Sequence, residues 1–192
     1  MDIQEPEEAI QYYERALERQ SEDINLVREV GKALVMTHDY SRAVKYYETR
    51  LAEDPRLLDL RTDLANLYFR LKAFDQAKRV LIESLQFLAS QDGTYETKSK
   101  TVIWLVLKSK VCLEIDMQYP GWKLKDNFEA KQGLADALNL QAEVIEICRT
   151  SNTDKLDEER EFLGEISCRV AQYLEEREGN MEEAIANYND CL

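Results

Sequence analysis

The strongest constraint on the fold of this chain is a short pattern that recurs every 34 residues. Residues 8–14 and 42–48 match closely at five of seven positions, and the second segment begins 34 residues after the first. A third copy, around Ala77, follows after another 34 residues, and a fourth surrounds Ala184 near the C-terminal end. Self-similarity at a fixed period of this length indicates stacked repeat units, each of which buries its apolar face against its neighbours.

A period of 34 residues is that of the tetratricopeptide repeat, a helix–turn–helix unit. The chain has only 6 Gly and 3 Pro, too few for the many tight turns of an all-β fold. We therefore predict an all-α chain, a right-handed superhelical α-solenoid of stacked antiparallel helix pairs.

Certain positions of the repeat are predicted to be structural, because small residues allow helices to approach closely, tyrosines fill the gaps between them and proline ends a unit. These positions are Ala9, Tyr13, Gly31, Ala43, Tyr47, Pro55, Ala65, Tyr68, Ala77, Ala184 and Tyr188.

The period also divides the chain. We expect a half repeat at 1–22, repeats at 23–56 and 57–93, a divergent long-helix repeat at 94–156 with an inserted loop at 117–127, and a final repeat at 157–192. The first helix carries Ile10, Tyr13 and Leu17 with no helix before it, and the last apolar stripe is interrupted at Leu192. The sequence is therefore expected to be an excerpt from a longer solenoid.

The charge of the chain restricts its partners. The formal net charge is −13 and the pI is near 4.7. Nucleic acids and anionic membrane surfaces are excluded as general partners, because both attract basic clusters. The longest apolar run, Val102–Leu107, is far shorter than the ~20 residues that span a bilayer, so we expect no direct membrane insertion.

The sequence offers no residues for catalysis, metal binding or a cofactor. His38 is the only histidine, and no glycine-rich loop is present to hold a phosphate. Glu158 and Glu159 are adjacent carboxylates, but they are interpreted as the solvated start of a helix. We therefore expect no catalytic residue, no metal, no cofactor and no small-molecule substrate.

The cysteines are also interpreted as structural. The four of them lack the close spacing of a zinc knuckle or a redox pair and lie in apolar helical segments, at Cys112, Cys148, Cys168 and Cys191. We expect each to act as a small hydrophobic residue in a reducing compartment.

The first helices of the repeats are predicted to line a groove that binds a protein partner. The candidate positions on these helices are Asn25, Arg28, Lys32, Asp59, Thr62, Asn66 and Phe69. Two uses stay open: holding another subunit as a scaffold, or clamping a short C-terminal tail, as tetratricopeptide co-chaperones do. Glu29 and Asp63 stand where a tail clamp needs an amide or a basic side chain, which disfavours an acidic tail.

Three further aromatic residues, including Trp122 as a candidate partner-binding residue, are open to two interpretations. Trp122, in the inserted loop, either covers an adjacent helix or anchors a partner. Tyr12 and Tyr46 have the spacing of a stacking platform, but we interpret them as core residues because aromatic stripes at helical spacing usually face the core.

Two runs of sequence resemble a known family. Residues 27–43 and 63–72 are similar to repeats of the large tetratricopeptide-repeat subunit of intraflagellar transport complex A, the tetratricopeptide repeat protein 21 family. The segment from Gly31 to His38 (Gly-Lys-Ala-Leu-Val-Met-Thr-His) is the most informative part, because groove and surface positions of a repeat need not match. The order of later segments, at 140–144, 165–168 and 183–185, also agrees, whereas the loop at 117–127 departs from the family pattern.

The resemblance implies a non-catalytic scaffold in a multi-subunit ciliary complex. Proteins of this family support retrograde transport along the axoneme and the entry of cargo into the cilium. The implied partners are other protein subunits, and the implied location is the cilium and basal body, on the cytoplasmic side.

Overall fold

The computed structural model describes residues 6–19, 23–91, 93–122, 126–151 and 153–189. These residues form helices and turns, with no strand among them, which confirms the all-α prediction. The helices are α1 Pro6–Arg19, α2 Ile24–Met36, α3 Tyr40–Glu53, α4 Leu58–Arg70, α5 Phe74–Ala89, α6 Tyr95–Met117, α7 Phe128–Ser151, α8 Leu156–Tyr173 and α9 Met181–Asn189.

The chain forms two compact units, Met1–Arg70 and Leu71–Leu192. In the first unit, helices that are consecutive in sequence pack against each other, α1 on α2, α2 on α3 and α3 on α4. Two aspartates set the helix starts: Asp23 accepts hydrogen bonds from the backbone N–H groups at the start of α2, and Asp39 does the same for α3. Pro55 lies in the turn between α3 and α4.

The core of the first unit contains the small residues of the repeat pattern. Ala43 and Ala65 are completely buried, and Ala9 is nearly so. Gly31 of α2 lies directly beneath the buried ring of Tyr47 of α3. Tyr68 of α4 is also buried, and its hydroxyl donates a hydrogen bond to Glu48 of α3.

The second unit contains the two longest described helices, α6 with 23 residues and α7 with 24. Helix α6 packs on α5 and α7, and α7 packs on α8. One core cluster joins α6, α7 and α8 through Val102, Val106, Ala137, Val144 and Ile166. Ala77 of α5 and Ala184 of α9 are completely buried as well.

The end of α8 has an unusual geometry. Helix α8 continues without a break into a π-helical segment, Leu174–Glu178, in which each turn holds more residues than in an α-helix. Gly179 ends this segment with a φ of 62°, a left-handed conformation that glycine adopts without strain. Tyr188 of α9 folds back and donates a hydrogen bond to Glu175 of the π segment.

Several expectations require correction. Tyr12 points outward and is 73% exposed, because it lies on the face of α1 opposite the buried Ile10 and Leu17. Ile10 and Leu17 are buried within the first unit, where α1 packs on α2. Tyr13 and Tyr46 are half-buried.

The cysteines follow the expectation in part. Cys112 and Cys148 are buried free thiols, and burial raises the pKa of the Cys112 thiol to about 11. Cys168 is disulfide-bonded, so the expectation of a thiol is wrong at that position. Cys191 lies outside the described residues.

Candidate functional site

The predicted groove residues of the first unit lie on neighbouring faces of α2 and α4, which we name the α2–α4 face. At its centre, the Arg28 guanidinium donates hydrogen bonds to both carboxylate oxygens of Asp63, from Nε at 3.0 Å and from Nη2 at 3.3 Å. Its Nη1 donates to Asp59 at 3.0 Å. The hydrogen bonds to Asp63 raise the pKa of Arg28, with both carboxylate charges contributing. The guanidinium of Arg28 is therefore paired with two carboxylates of the next predicted repeat.

The other groove residues differ in exposure. Lys32 forms an ion pair with Glu29, at 2.7 Å between Nζ and Oε1. Asn25 and Asn66 are exposed, whereas Thr62 and Phe69 are half-buried. The face also contains an open cavity of about 360 Å³, whose lining includes Met36, Asn66 and Arg70.

These ion pairs affect what the α2–α4 face can bind. A clamp for a C-terminal carboxylate requires cationic donors that point at the ligand. The cationic groups of Arg28 and Lys32 are already paired within the protein, and Asp59 and Asp63 add negative charge to the same face. The arrangement suits a partner that contacts the face over an area rather than one that inserts an acidic tail.

Trp122 lies in the second unit. The Arg177 guanidinium stacks on the indole, with Cζ 4.6 Å from the ring centroid. Nη1 of Arg177 donates to the Trp122 carbonyl oxygen at 2.6 Å and lies 3.5 Å from Oδ2 of Asp116. The side chain of Arg177 is only 2% exposed. Trp122 therefore packs on the π segment, and its role in anchoring a partner stays a prediction.

The C-terminal end of the inserted loop is held in place by a polar network. Asn127 caps α7 by accepting a hydrogen bond from the backbone N–H of Ala130, and its amide nitrogen donates to Asp116 at 2.7 Å. The Tyr173 hydroxyl of α8 donates to Asp126 at 2.7 Å and accepts from the Asn127 backbone N–H. Burial is the main cause that raises the pKa of Tyr173, and the hydrogen bond to Asp126 is the second cause. The hydroxyl therefore stays protonated.

Glu159 differs from the expectation of a solvated helix start. It is 8% exposed and accepts hydrogen bonds from the Tyr95 hydroxyl of α6 at 2.5 Å and from the Gln141 amide of α7 at 2.6 Å. Glu158, beside it, is exposed as expected. The buried carboxylate of Glu159 therefore connects α8 to α6 and α7 through hydrogen bonds.

The described residues contain no group of His, Cys, Asp and Glu side chains that could hold a metal ion. His38 is exposed, and its Nδ1 is 2.7 Å from the Tyr40 hydroxyl. Among the described helices, none is both long and apolar enough to cross a membrane.

Family models match almost the whole chain. The model described as "Tetratricopeptide repeat protein 21 forth ARM domain" matches residues 26–192, and a tetratricopeptide repeat model matches residues 1–23.

Comparison with individual proteins finds relatives of the same family. The chain is 34% identical to tetratricopeptide repeat protein 21B of Mus musculus and 32% identical to that of Homo sapiens, with 100% of this chain covered in both. A tetratricopeptide repeat protein 21 homolog of Caenorhabditis elegans is 33% identical over 89% of this chain. The chain spans 13–14% of the length of these relatives.

Solved structures with a similar fold include MamA proteins. A double mutant described as "MamA RS-1 ArsTM double mutant" matches with a TM-score of 0.57 and 15% identity, over 97% of this chain and 83% of that chain. MamA from Desulfovibrio magneticus RS-1 matches with a TM-score of 0.56 and 16% identity, with the same coverage. At this level of identity the likeness shows the fold alone, and it confirms the prediction of a tetratricopeptide-type helical solenoid. Solenoids of this type are typically non-catalytic scaffolds.

Proposed function

This chain belongs to the tetratricopeptide repeat protein 21 family, and we propose that it is a scaffold segment of an intraflagellar transport complex A subunit. In this role it binds other protein subunits, performs no chemistry and supports retrograde ciliary transport and the entry of cargo. The parent protein acts at the cilium and basal body, on the cytoplasmic side of the membrane.

The pairing of Arg28 with Asp59 and Asp63 is the observation that most favours a scaffold over a tail clamp. An acidic tail would have to compete with two carboxylates for the same guanidinium and would meet their repulsion. A broad protein surface can instead leave this ion pair intact and contact its apolar surroundings, such as the exposed Met36.

Proximity labelling by the full-length parent protein in ciliated cells tests the scaffold role. We expect labelled proteins to include subunits of the transport complex, and we expect deletion of residues 23–70 to reduce their co-purification. The double variant Arg28→Ala, Lys32→Ala serves as a matched control, because it removes the cations that a clamp requires and leaves the helices present. Labelling of chaperones without any transport subunit would contradict the proposal.

The alternative function is a peptide-binding adaptor or co-chaperone that clamps a short C-terminal tail. The open cavity beside Asn66 and Arg70 is the observation that favours it. A pull-down with an acidic C-terminal heptapeptide distinguishes the two functions. Retention of the peptide by the wild-type chain, lost in the Arg28→Ala, Lys32→Ala variant, would favour the adaptor.

A further inference from the structure

The second unit contains a cavity that the function proposed above does not use. It has a volume of about 120 Å³ and is bounded by residues of α6, α7, α8, the π segment and the inserted loop. Leu113, Met117 and Trp122 supply apolar surface, and Lys110 and Arg169 supply positive charge. Met117 is 46% exposed, so apolar surface of this cavity is accessible from solvent. We name it the Trp122 cavity.

The volume of the Trp122 cavity limits what can enter it. Sites for cofactors and other small molecules usually measure ~300–1,000 Å³. A cavity of ~150 Å³ lined by apolar side chains holds a molecule the size of benzene. At about 120 Å³, the Trp122 cavity fits one large apolar side chain, such as Leu or Phe, and is too small for a nucleotide.

The wall of the cavity is preformed. Arg177 is held between the Trp122 ring and Asp116, so the indole is fixed in position. On another side, the Tyr173 hydroxyl is held by Asp126 and Asn127 at the end of the loop. A side chain that enters therefore orders little of the protein, which reduces the entropic cost of binding.

The charge around the cavity is opposite to that of the chain. Although the chain carries a net charge of −13, the residues that line the cavity include three basic side chains and a single acidic one, Glu176. Arg177 is balanced by Asp116, whereas Arg169 is half-buried and has no ion-pair partner among the described residues. Such a site favours a partner that carries carboxylates beside its apolar anchor.

We propose that the Trp122 cavity binds an acidic segment of a partner protein. One large apolar side chain of the segment enters the cavity, and the flanking carboxylates face Lys110 and Arg169. The proposal rests on the scaffold function, since it identifies one surface through which the scaffold contacts a partner.

Titration of the 192-residue chain with capped pentapeptides tests the site. The main probe has Phe between two pairs of acidic residues, one comparison peptide has Ser in place of Phe, and another has Lys and Arg in place of the acids. Capped ends remove the terminal carboxylate, so a tail clamp on the α2–α4 face cannot account for binding. A change in tryptophan fluorescence on peptide binding reports on Trp122, because Trp104, the other tryptophan of the sequence, is completely buried.

We expect the acidic Phe peptide to bind at least about tenfold more tightly than the Ser peptide or the basic peptide, a difference of ~1.4 kcal/mol. Arg169→Ala should weaken binding about tenfold. Arg79→Ala, which removes an exposed guanidinium outside the cavity in the same unit, should change it less than about twofold. Circular dichroism of both variants shows whether they are folded.

Two results would overturn the site: absence of binding by the acidic Phe peptide to the wild-type chain, or equal binding by folded Arg169→Ala. Co-purification of the parent protein, measured in parallel, separates this outcome from failure of the scaffold role. Intact co-purification without peptide binding refutes the cavity alone. Peptide binding without co-purification supports the cavity and refutes the scaffold.

Discussion

At the scale of single residues, the contact between Gly31 and Tyr47 determines how closely α2 and α3 can approach. A Cβ atom on Gly31 would lie 2.2 Å from Cε1 and 2.5 Å from Cζ of the Tyr47 ring, well inside van der Waals contact. Tyr47 is 2% exposed and is surrounded by core, so its ring has little room to move.

We therefore expect Gly31→Ala to destabilise the first unit, with overpacking costing about 1–3 kcal/mol against a gain of up to ~1 kcal/mol in helix propensity. Chemical denaturation of the whole chain measures the loss. Gly93→Ala is the control, because the nearest atom to its added Cβ is the flexible Lys98 Cε at 3.4 Å. Adding Tyr47→Leu should recover part of the loss, and an additive double variant would contradict the assigned contact.

Glu159 provides a second prediction at this scale. Glu159→Ala removes the acceptor of the Tyr95 hydroxyl and one of the two acceptors of the buried Gln141 amide, whose hydrogen bond to the Glu159 backbone carbonyl remains, at a cost of about 1–3 kcal/mol. Glu158→Ala, at the exposed neighbouring position, should change the free energy of unfolding by less than ~0.5 kcal/mol. Equal effects of the two substitutions in denaturant titrations would refute the buried network.

The sequence could predict one of these two sites and not the other. Gly31 interrupts an apolar helix at a repeat position, which indicates a close contact. Glu159 follows two acidic residues and looks like part of a helix start. A signal was nevertheless present, because Glu159 is seven residues, or two helical turns, before the completely buried Ile166 and so lies on the same face of α8.

At the scale of helices, Glu129 at the start of α7 connects α5 and α6. Its carboxylate oxygens lie 2.6 Å from Nζ of Lys78 and 2.9 Å from Nζ of Lys108. Partial burial opposes ionisation, but the hydrogen bonds from both lysines outweigh it and lower the pKa of Glu129 below its usual 4.5.

A lowered pKa in the folded state means that ionised Glu129 stabilises the fold at pH values above the unfolded-state pKa. This contribution is lost as the pH falls through the folded-state pKa. We expect Glu129→Gln to be less stable than the wild type at about pH 7 and the difference to shrink as the pH falls below about 4.5. Denaturant titrations of both proteins at several pH values measure it, and a difference that does not change with pH would contradict this role.

The helices were largely predictable from the sequence, whereas the contacts of the inserted loop were not. Helix starts carry local signals, such as the capping residues Asp23 before α2 and Thr94 before α6. The hydrogen bonds between Tyr173 and the loop join residues 46 and 47 positions apart. Nothing in a single sequence indicates which of many distant polar residues will meet.

At the scale of the whole molecule, the 34-residue period was sufficient to predict a helical repeat fold. The period did not indicate the division into compact units, which falls between Arg70 and Leu71 within the repeat predicted at 57–93. The period identifies the helices within each repeat and gives no information on packing between repeats. The division into units depends on that packing, including the contacts of the long helices α6 and α7 with their neighbours.

The net charge of −13 leads to a prediction for the chain as a whole. Repulsion among surplus carboxylates destabilises a folded protein, and salt screens this repulsion. We expect the melting temperature to rise when NaCl is increased from about 10 mM to about 150 mM, where the Debye length falls to ~8 Å. Thermal unfolding followed by circular dichroism measures the change. A lower melting temperature in salt would mean that the surface ion pairs outweigh the repulsion.

The π-helical segment Leu174–Glu178 also has a consequence for how mutations of this chain are interpreted. A π turn accommodates one residue more than an α turn, so deleting a single residue between positions 174 and 176 would restore ordinary helical winding. The downstream side chains would then keep their positions, whereas a deletion in the α-helical part of α8 would rotate every side chain beyond it by about 100° and move the guanidinium of Arg177 away from the indole. The place of a one-residue gap in an alignment therefore decides whether Arg177 still packs on Trp122.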